Sequence, residues 1–579
     1  MGGACCVFAR SHKNRCLHTK PALSATVRSF ADSIPDMDYC DALREAPTAQ
    51  NACASTAPAT VHAKFSSHTI CILIAHKKML CDSSRQSLSG DVRRGATGQC
   101  PGICQQELPR ECVRCGHSAR LSRVVVVGES AGSETPARRR QGYWISFANR
   151  QTCDRRAQVM SDIAILGAGF IGLASAASLI RDGHRVTLFD ASGVGQGASF
   201  GNAGTFAHYA CIPVNNPSVF RDLPRFLLSH DSPFRLRWGY LPQLAPWLVR
   251  FMISSLPRRY EGSAGALAAL LGRAQDGYAP LLEDAELARF VQARECLYLY
   301  SNSESFDAAR PALDLRRKLG VAFDVLSGND IRALEPSLAP IFERGVLFSD
   351  SWHFSDPQGF LQTLYERLAA QGLTLERSTV TAVQPSDDGV TVTLDGVARR
   401  FGHVVIATGA RSAKFAKQCG DSVPLDTERG YHVRYPGAQQ MISRPVGWAE
   451  RGFYMTPMSD GIRVAGTVEL GGFNEARNRS LLDLLTFSSK RALPALDTPD
   501  STWLGFRPTL PDGVPVLGRS SASERVIYAF GHQHLGLTLA GISGRIVADL
   551  IAGRTPSLDL TPYAATRFQI AAGTVQHRH

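Results

Sequence analysis

Six consecutive residues carry the plainest chemistry in the chain: Gly167-Ala168-Gly169-Phe170-Ile171-Gly172, set between an apolar strand and a helix rich in Ala and Leu. Each glycine has a mechanical task. The first permits a tight turn, the second lets backbone approach a pyrophosphate, and the third brings helix and strand together. The helix start then offers unpaired N–H groups and a positive dipole end to the phosphates. Asp190, with Ala191 behind it, ends the next strand 23 residues after Gly167, where a carboxylate can accept hydrogen bonds from ribose hydroxyls. Alone, G-x-G-x-x-G is weak evidence. Strand, turn, helix, strand and acid in order make a dinucleotide site.

Small residues continue after Asp190, from Gly193 through Ser199-Phe200-Gly201-Asn202-Ala203-Gly204, and return at Val404-Val405-Ile406-Ala407-Thr408-Gly409-Ala410. Backbone of this kind suits a long, flat cofactor, and a nicotinamide enzyme has no use for the second glycine-rich passage. The cofactor expected is FAD. A flavin that accepts a hydride needs its negative charge stabilised. The segment Gly531-His532-Gln533-His534-Leu535-Gly536-Leu537-Thr538 leads into the last helix, so backbone N–H groups and the positive helix end can face the flavin N1–C2=O edge. His532 and His534 add donors there, or pack as ordinary buried histidines.

These segments resemble the D-amino acid oxidase superfamily of flavoproteins, most of all the D-amino acid dehydrogenases and the branch that oxidises D-hydroxyproline. The resemblance spans about residues 161–560. It rests on Ser199–Gly204 and Gly531–Thr538, on Glu428-Arg429-Gly430-Tyr431-His432 and Trp503-x-Gly505-Phe506-Arg507-Pro508, and on Pro511-Asp512-Gly513-x-Pro515. Gln533 stands where the dehydrogenases usually carry Gly. The resemblance implies that Arg507 clamps a substrate carboxylate with two prongs, a geometry suited to a guanidinium that never loses its charge. It places Tyr454 against the substrate and Tyr431 and His432 at the border of the same pocket. The competing readings are a surface arginine and buried tyrosines of a sheet. The implied reaction moves hydride from Cα–H of a D-amino acid or cyclic imino acid to flavin N5, with the amine unprotonated and no obligatory side-chain base. A flavin- or NAD-dependent 2-hydroxy acid dehydrogenase of similar fold is the rival.

The elements that must position these residues read as an α/β protein. Asp162–Leu166, Ile171–Arg181 and Arg185–Phe189 form a strand–helix–strand unit; Val390–Leu394 and Val404–Ala407 read as strands, Phe360–Ala370 and Leu535–Ala552 as helices. The expected architecture is a Rossmann-like FAD-binding domain with a parallel sheet (161–214, 351–424 and 511–560) plus an α+β substrate domain with a mostly antiparallel sheet (215–350 and 425–510). A tail, 561–579, follows.

Residues 1–160 read differently. They hold 22 Lys and Arg against 12 Asp and Glu, and 12 of the 15 cysteines, whereas residues 161–579 hold 41 against 39. The basic excess therefore belongs to an extension without hydrophobic period, expected to be poorly ordered, with Met160 as a natural start for a shorter protein. The near-neutral remainder gives no reason to expect a nucleic-acid partner. Three matches in the extension lack context: Gly128-Glu129-Ser130-Ala131-Gly132 as a hydrolase elbow using Ser130, Cys100, Cys104, Cys112 and Cys115 as zinc ligands, and an Arg-bearing transit-like start. No metal site is expected. Three scattered cysteines fit a cytoplasmic enzyme, and no apolar run reaches the roughly 18 residues of a spanning helix. The expected partners are an amino or imino acid and an electron acceptor such as a quinone or the respiratory chain, with peripheral contact to the inner face of a membrane.

Overall fold

The structure, a computed structural model, describes residues 161–217 and 232–569. The readings placed on residues 1–160, including Ser130 and the four spaced cysteines, lie outside the described residues.

β1 (Asp162–Leu166), α1 (Phe170–Arg181) and β2 (Arg185–Phe189) form the expected unit, with β1 and β2 parallel and Leu166 paired with Phe189. They belong to a six-stranded sheet ordered Thr374–Glu376, β2, β1, His403–Ile406, Val526–Phe530, Val516–Arg519, parallel except for the last strand. After Asp162, β1 is apolar because both its faces are covered. Ile163 and Ile165 enter a core shared with α1 and the closing helix (Gly536–Ile551), while Ala164 and Leu166 enter a second core with Val383, Val390 and Val392. The latter residues belong to a three-stranded antiparallel meander, so the strand around Val390–Leu394 lies outside the parallel sheet.

Helix boundaries follow local chemistry. Pro357–Ala369 starts with Pro at its first turn, and the Asp356 side chain caps it by accepting from Gly359 N–H at 2.9 Å. The closing helix packs against α1 with almost no side chain between them. A Cβ on Gly544 would fall on the Ala174 carbonyl, and one on Gly541 on the backbone of Gly277.

A second, nine-stranded sheet is mostly antiparallel. Its main order runs Ser501–Thr509, Asp426–Pro436, Gly461–Leu470, Phe453–Met458, Val446–Trp448, Cys296–Tyr300, Arg344–Phe348, Asp324–Ser327. Among the described residues its parallel pairs are Val446–Trp448 with Cys296–Tyr300 and Phe234–Leu236 with Gly461–Leu470. One face packs under the helix Arg479–Ala492, with Tyr431, Val433 and Tyr435 against Leu481 and Leu485. The other face turns toward the loop after β2, where His432 and Arg463 meet the backbone of Phe200, Gly201 and Asn202.

Candidate active site

The nucleotide turn is built as its glycines require. Gly167 has φ +107°, donates its N–H to Phe189 at 2.8 Å, and leaves no room for a Cβ beside the Ala407 carbonyl. Ser199 reaches the start of α1, where its Oγ accepts from Phe170 N–H at 3.2 Å and lies 2.8 Å from where a Gly169 Cβ would be. Asp190 accepts from Ala168 N–H at 2.9 Å, Ser192 N–H at 2.8 Å and Gly193 N–H at 3.1 Å, so the carboxylate expected to meet a ribose also ties two turns together. A cleft of about 360 Å³ lined by Ser192, Val194, Gln196, Leu375 and Arg377 opens beside it. Ala168 and Phe170 are buried, Ile171 partly so.

The loop Ser199–Gly204 is gripped from both sides. Asn202 bridges its two ends, donating to Ser199 O and accepting from Gly204 N–H at 2.7 Å. From the substrate sheet, Arg463 donates to Phe200 O at 3.2 Å and Asn202 O at 3.0 Å, and His432 Nδ1 lies 3.1 Å from Gly201 O. Ala203 lies between these anchors. Thr538 accepts from Ala207 N–H at 2.9 Å and so ties the closing helix to the same stretch. Thr408 Oγ1 sits 2.9 Å from Ser412 Oγ, and Gly409 opens a short turn after the strand His403–Ile406.

These residues fit FAD. α1 and the closing helix both start without an acidic residue in the first turn and without a side-chain hydrogen bond from the cap position. Ser199 takes the Phe170 N–H; the next N–H groups of α1, those that lead the closing helix, and both positive ends remain for anionic groups. Leu535, Leu537 and Thr538 are buried beneath that start and Gly536 is half-buried.

Cross-strand pairing sets the substrate face. Trp503, His432, Ala465, Tyr454, Gly447 and Tyr298 form one row of direct partners across the sheet. Direct partners share a face, and His432 at Gly201 shows that this face meets the glycine-rich loop. Arg507, four residues from Trp503, lies on it too. Its guanidinium rests on Gly430, in space a Cβ there would take, and its prongs donate to Thr467 O at 2.8 Å and Gly466 O at 3.2 Å. Those carbonyls are aimed by a bulge. Arg429 pairs with Glu469 and Tyr431 with Gly466, leaving an extra residue in the strand opposite Gly430 and holding Thr467 at φ +58°. A non-glycine residue there costs about 1–3 kcal/mol and marks sites whose geometry is over-determined.

Charge around Arg507 is specific. Glu428 is its cross-strand partner and only 6% exposed; burial raises its carboxyl above the usual range and Arg507 opposes that rise. Burial in turn lowers the Arg507 guanidinium, which stays charged. His534 keeps access to solvent yet sits deep enough that burial, then the Arg507 charge, push its imidazole down to about 4. Its ring is therefore neutral.

Other expected residues fall elsewhere. Tyr431 is corrected: it lies on the opposite face from Arg507, its hydroxyl donating to Glu469 and accepting from Asn478 N–H at 3.2 Å. Neighbours along a strand point to opposite sides, so His432 takes the substrate face and Tyr431 cannot. His532 is 3% exposed, its Nε2 lies 2.9 Å from Ser543 Oγ, and burial pushes its ring down to about 3. It braces the start of the closing helix. Tyr454 is on the substrate face, but its hydroxyl lies 3.4 Å from that of Tyr209, which bonds Cys296 Sγ at 3.1 Å. Gln533 has φ +48°, a backbone conformation that favours glycine. Glu428, Thr467 and Glu469 were not anticipated. Glu428 stood in a recognised motif, and only its strand parity with His432 could have singled it out.

A family model described as FAD dependent oxidoreductase matches residues 162–550. The chain is 35% identical over 420 residues to a D-amino-acid oxidase of Bradyrhizobium diazoefficiens, a match covering 70% of this chain and 98% of that one. It is 30% identical over 420 residues to a D-amino acid dehydrogenase of Methylobacterium radiotolerans, covering 70% and 99%. The fold is similar to that of glycine oxidase from Geobacillus kaustophilus, with a TM-score of 0.56 at 22% identity over 70% of this chain and 99% of that one.

Proposed function

Since the chain belongs to the family of FAD-dependent oxidoreductases, we propose that it oxidises the Cα–N bond of a D-amino acid or a cyclic imino acid such as a D-proline derivative. FAD supplies the hydride acceptor, its N5. The observation that carries the substrate class is Arg507, a guanidinium seated on Gly430, fixed by two carbonyls and facing the loop Ser199–Gly204. A cation so placed holds a carboxylate in one orientation and presents the substrate Cα to the cofactor side. The relatives named D-amino-acid oxidase and D-amino acid dehydrogenase support the same class. Gly167, Ala168, Gly169 and the start of α1 hold the diphosphate, Asp190 the ribose, and Asn202, Ala203, Gly204 and the start of the closing helix the flavin. Arg507, Tyr454 and neutral His534 line the substrate side.

For the second half of the cycle, we infer that electrons leave to a quinone held at a membrane surface. No described helix is long and apolar enough to cross a membrane. The support is an exposed apolar strip along the helix Leu241–Ser254 and its flanks: Trp238 is 62% exposed, Val249 59% and Leu256 48%, followed by exposed Arg258 and Arg259. Apolar side chains next to arginines suit an anionic interface.

One experiment tests both halves. Mixed anaerobically with D-alanine, D-proline or D-hydroxyproline, the yellow protein is expected to lose its flavin band near about 450 nm. Bleaching by 2-hydroxy acids alone overturns the substrate class. Reoxidation of the bleached protein faster by air than by a soluble quinone overturns the acceptor.

A further inference from the structure

Glu428 is a buried carboxylate with no task in the reaction so far. It shares its strand face with Gly430 and His432 and is the direct partner of Arg507 across the strand pair. Among the described residues its side chain makes no hydrogen bond. Withdrawing an ionised carboxylate from water without a donor is costly, so such a group is kept neutral or kept for a cationic partner. Arg507 supplies charge, but it directs Nη1 and Nη2 to the carbonyls of Thr467 and Gly466. The other titratable groups around it do not fill the gap. His534, which feels the Arg507 charge, is neutral above about pH 4. Asp426, two residues away on the same face, is engaged by the Tyr240 hydroxyl at 3.2 Å.

An amino acid carries its carboxylate and its nitrogen on one carbon, so their receptors must sit side by side. Cross-strand partners do so, with Cα atoms about 4.5–5.5 Å apart. We propose that Glu428 receives the ammonium group of the substrate and takes a proton from it, while Arg507 holds the carboxylate. The inference rests on the amino-acid reading above. An N–H bond of the ammonium breaks, its electron pair stays on nitrogen, and an O–H bond forms on Glu428. That pair becomes the second C–N bond as Cα gives up its hydride to the FAD. The proton on Glu428 returns to water when product leaves. Burial already disfavours the charged carboxylate, which suits a group that must accept a proton.

The test compares the FAD-loaded full chain with Glu428→Gln without oxygen, reading D-alanine affinity from the concentration dependence of the flavin reduction rate and propanoate affinity from the shift of the flavin spectrum. D-Alanine is expected to bind roughly 10- to 100-fold more weakly to the variant, the loss of one charged hydrogen bond. Propanoate, the same acid without the amino group, should bind within about twofold of wild type, since Arg507 is untouched. Flavin reduction in the variant should keep rising with pH toward the free amine pKa, while wild type levels off earlier. Equal weakening of both ligands would make Glu428 only a support for Arg507 and overturn the role, as would unchanged D-alanine binding. Wild type that no amino acid reduces sinks the substrate reading as well. Should Glu428→Gln fail to load flavin, Glu428→Asp carries the same comparison, with only D-alanine expected to weaken.

Discussion

Gly430 and Tyr431 are neighbours with unrelated duties. Gly430 lies under the guanidinium of Arg507, and the atoms a Cβ would meet are the far end of a flexible side chain. Gly430→Ala should therefore displace Arg507 rather than break the strand. We expect substrate affinity to fall at least roughly 10-fold while stability changes by only about 1 kcal/mol. Tyr431 is fully buried on the other face, bonded to Glu469, which also receives Arg429. Tyr431→Phe should do the reverse, costing about 1–3 kcal/mol of stability and leaving substrate affinity within about twofold. Anaerobic titration and thermal unfolding of the two variants check the pair, and a matching affinity loss in Tyr431→Phe would return that residue to the pocket. The segment Glu428–His432 was legible as a motif because its residue types are distinctive. Which of its side chains meet substrate was not legible, because facing depends on register and on the bulge at Thr467, and a bulge leaves no mark in composition.

The nucleotide unit was readable as elements: β1, α1 and β2 appear where strand periods, helix formers and glycine spacing put them, and the closing helix within one residue of Leu535–Ala552 at each end. The strand at Val390 was readable as a strand but not as part of a separate meander, since a buried apolar run looks the same in either sheet. Helix partners were also unreadable. Gly541 and Gly544 weaken a helix interior by themselves, and Gly277 and Ala174 packed against them give the reason for both. Here the obstructing atoms are backbone, which cannot rotate away, so Gly544→Val must push the closing helix off α1. Overpacking of this kind costs about 1–3 kcal/mol or more, and the helix start proposed to face the flavin moves with it. Purified Gly544→Val should hold well under half the wild-type flavin per chain, measured as the ratio of visible to ultraviolet absorbance. Full flavin content would mean that the two helices separate without disturbing the site.

At the scale of the whole molecule, the charge division at residue 160 was legible by counting, but the depth at which histidines lie was not. His353, His432 and His532 are 2%, 5% and 3% exposed, and burial lowers their rings to about 4, about 4 and about 3. In the unfolded chain each titrates near about 6.5. Below that pH the unfolded state binds protons that the folded state refuses, so the stabilisation is complete above about 6.5 and is lost as pH falls toward about 4. Each histidine removes at most about 1.4 kcal/mol per pH unit, and three together about 4. Asp426 and Glu428 act in the opposite sense, because burial raises both carboxyls and a raised carboxyl favours the fold as pH falls. They offset part of the loss from the histidines. The melting temperature should be nearly level from about pH 7 to 8 and drop on the order of 5 °C by about pH 5.5. Scanning fluorimetry of the flavin-loaded protein measures this directly, and a level profile down to pH 5.5 would mean that the three rings take up protons without unfolding.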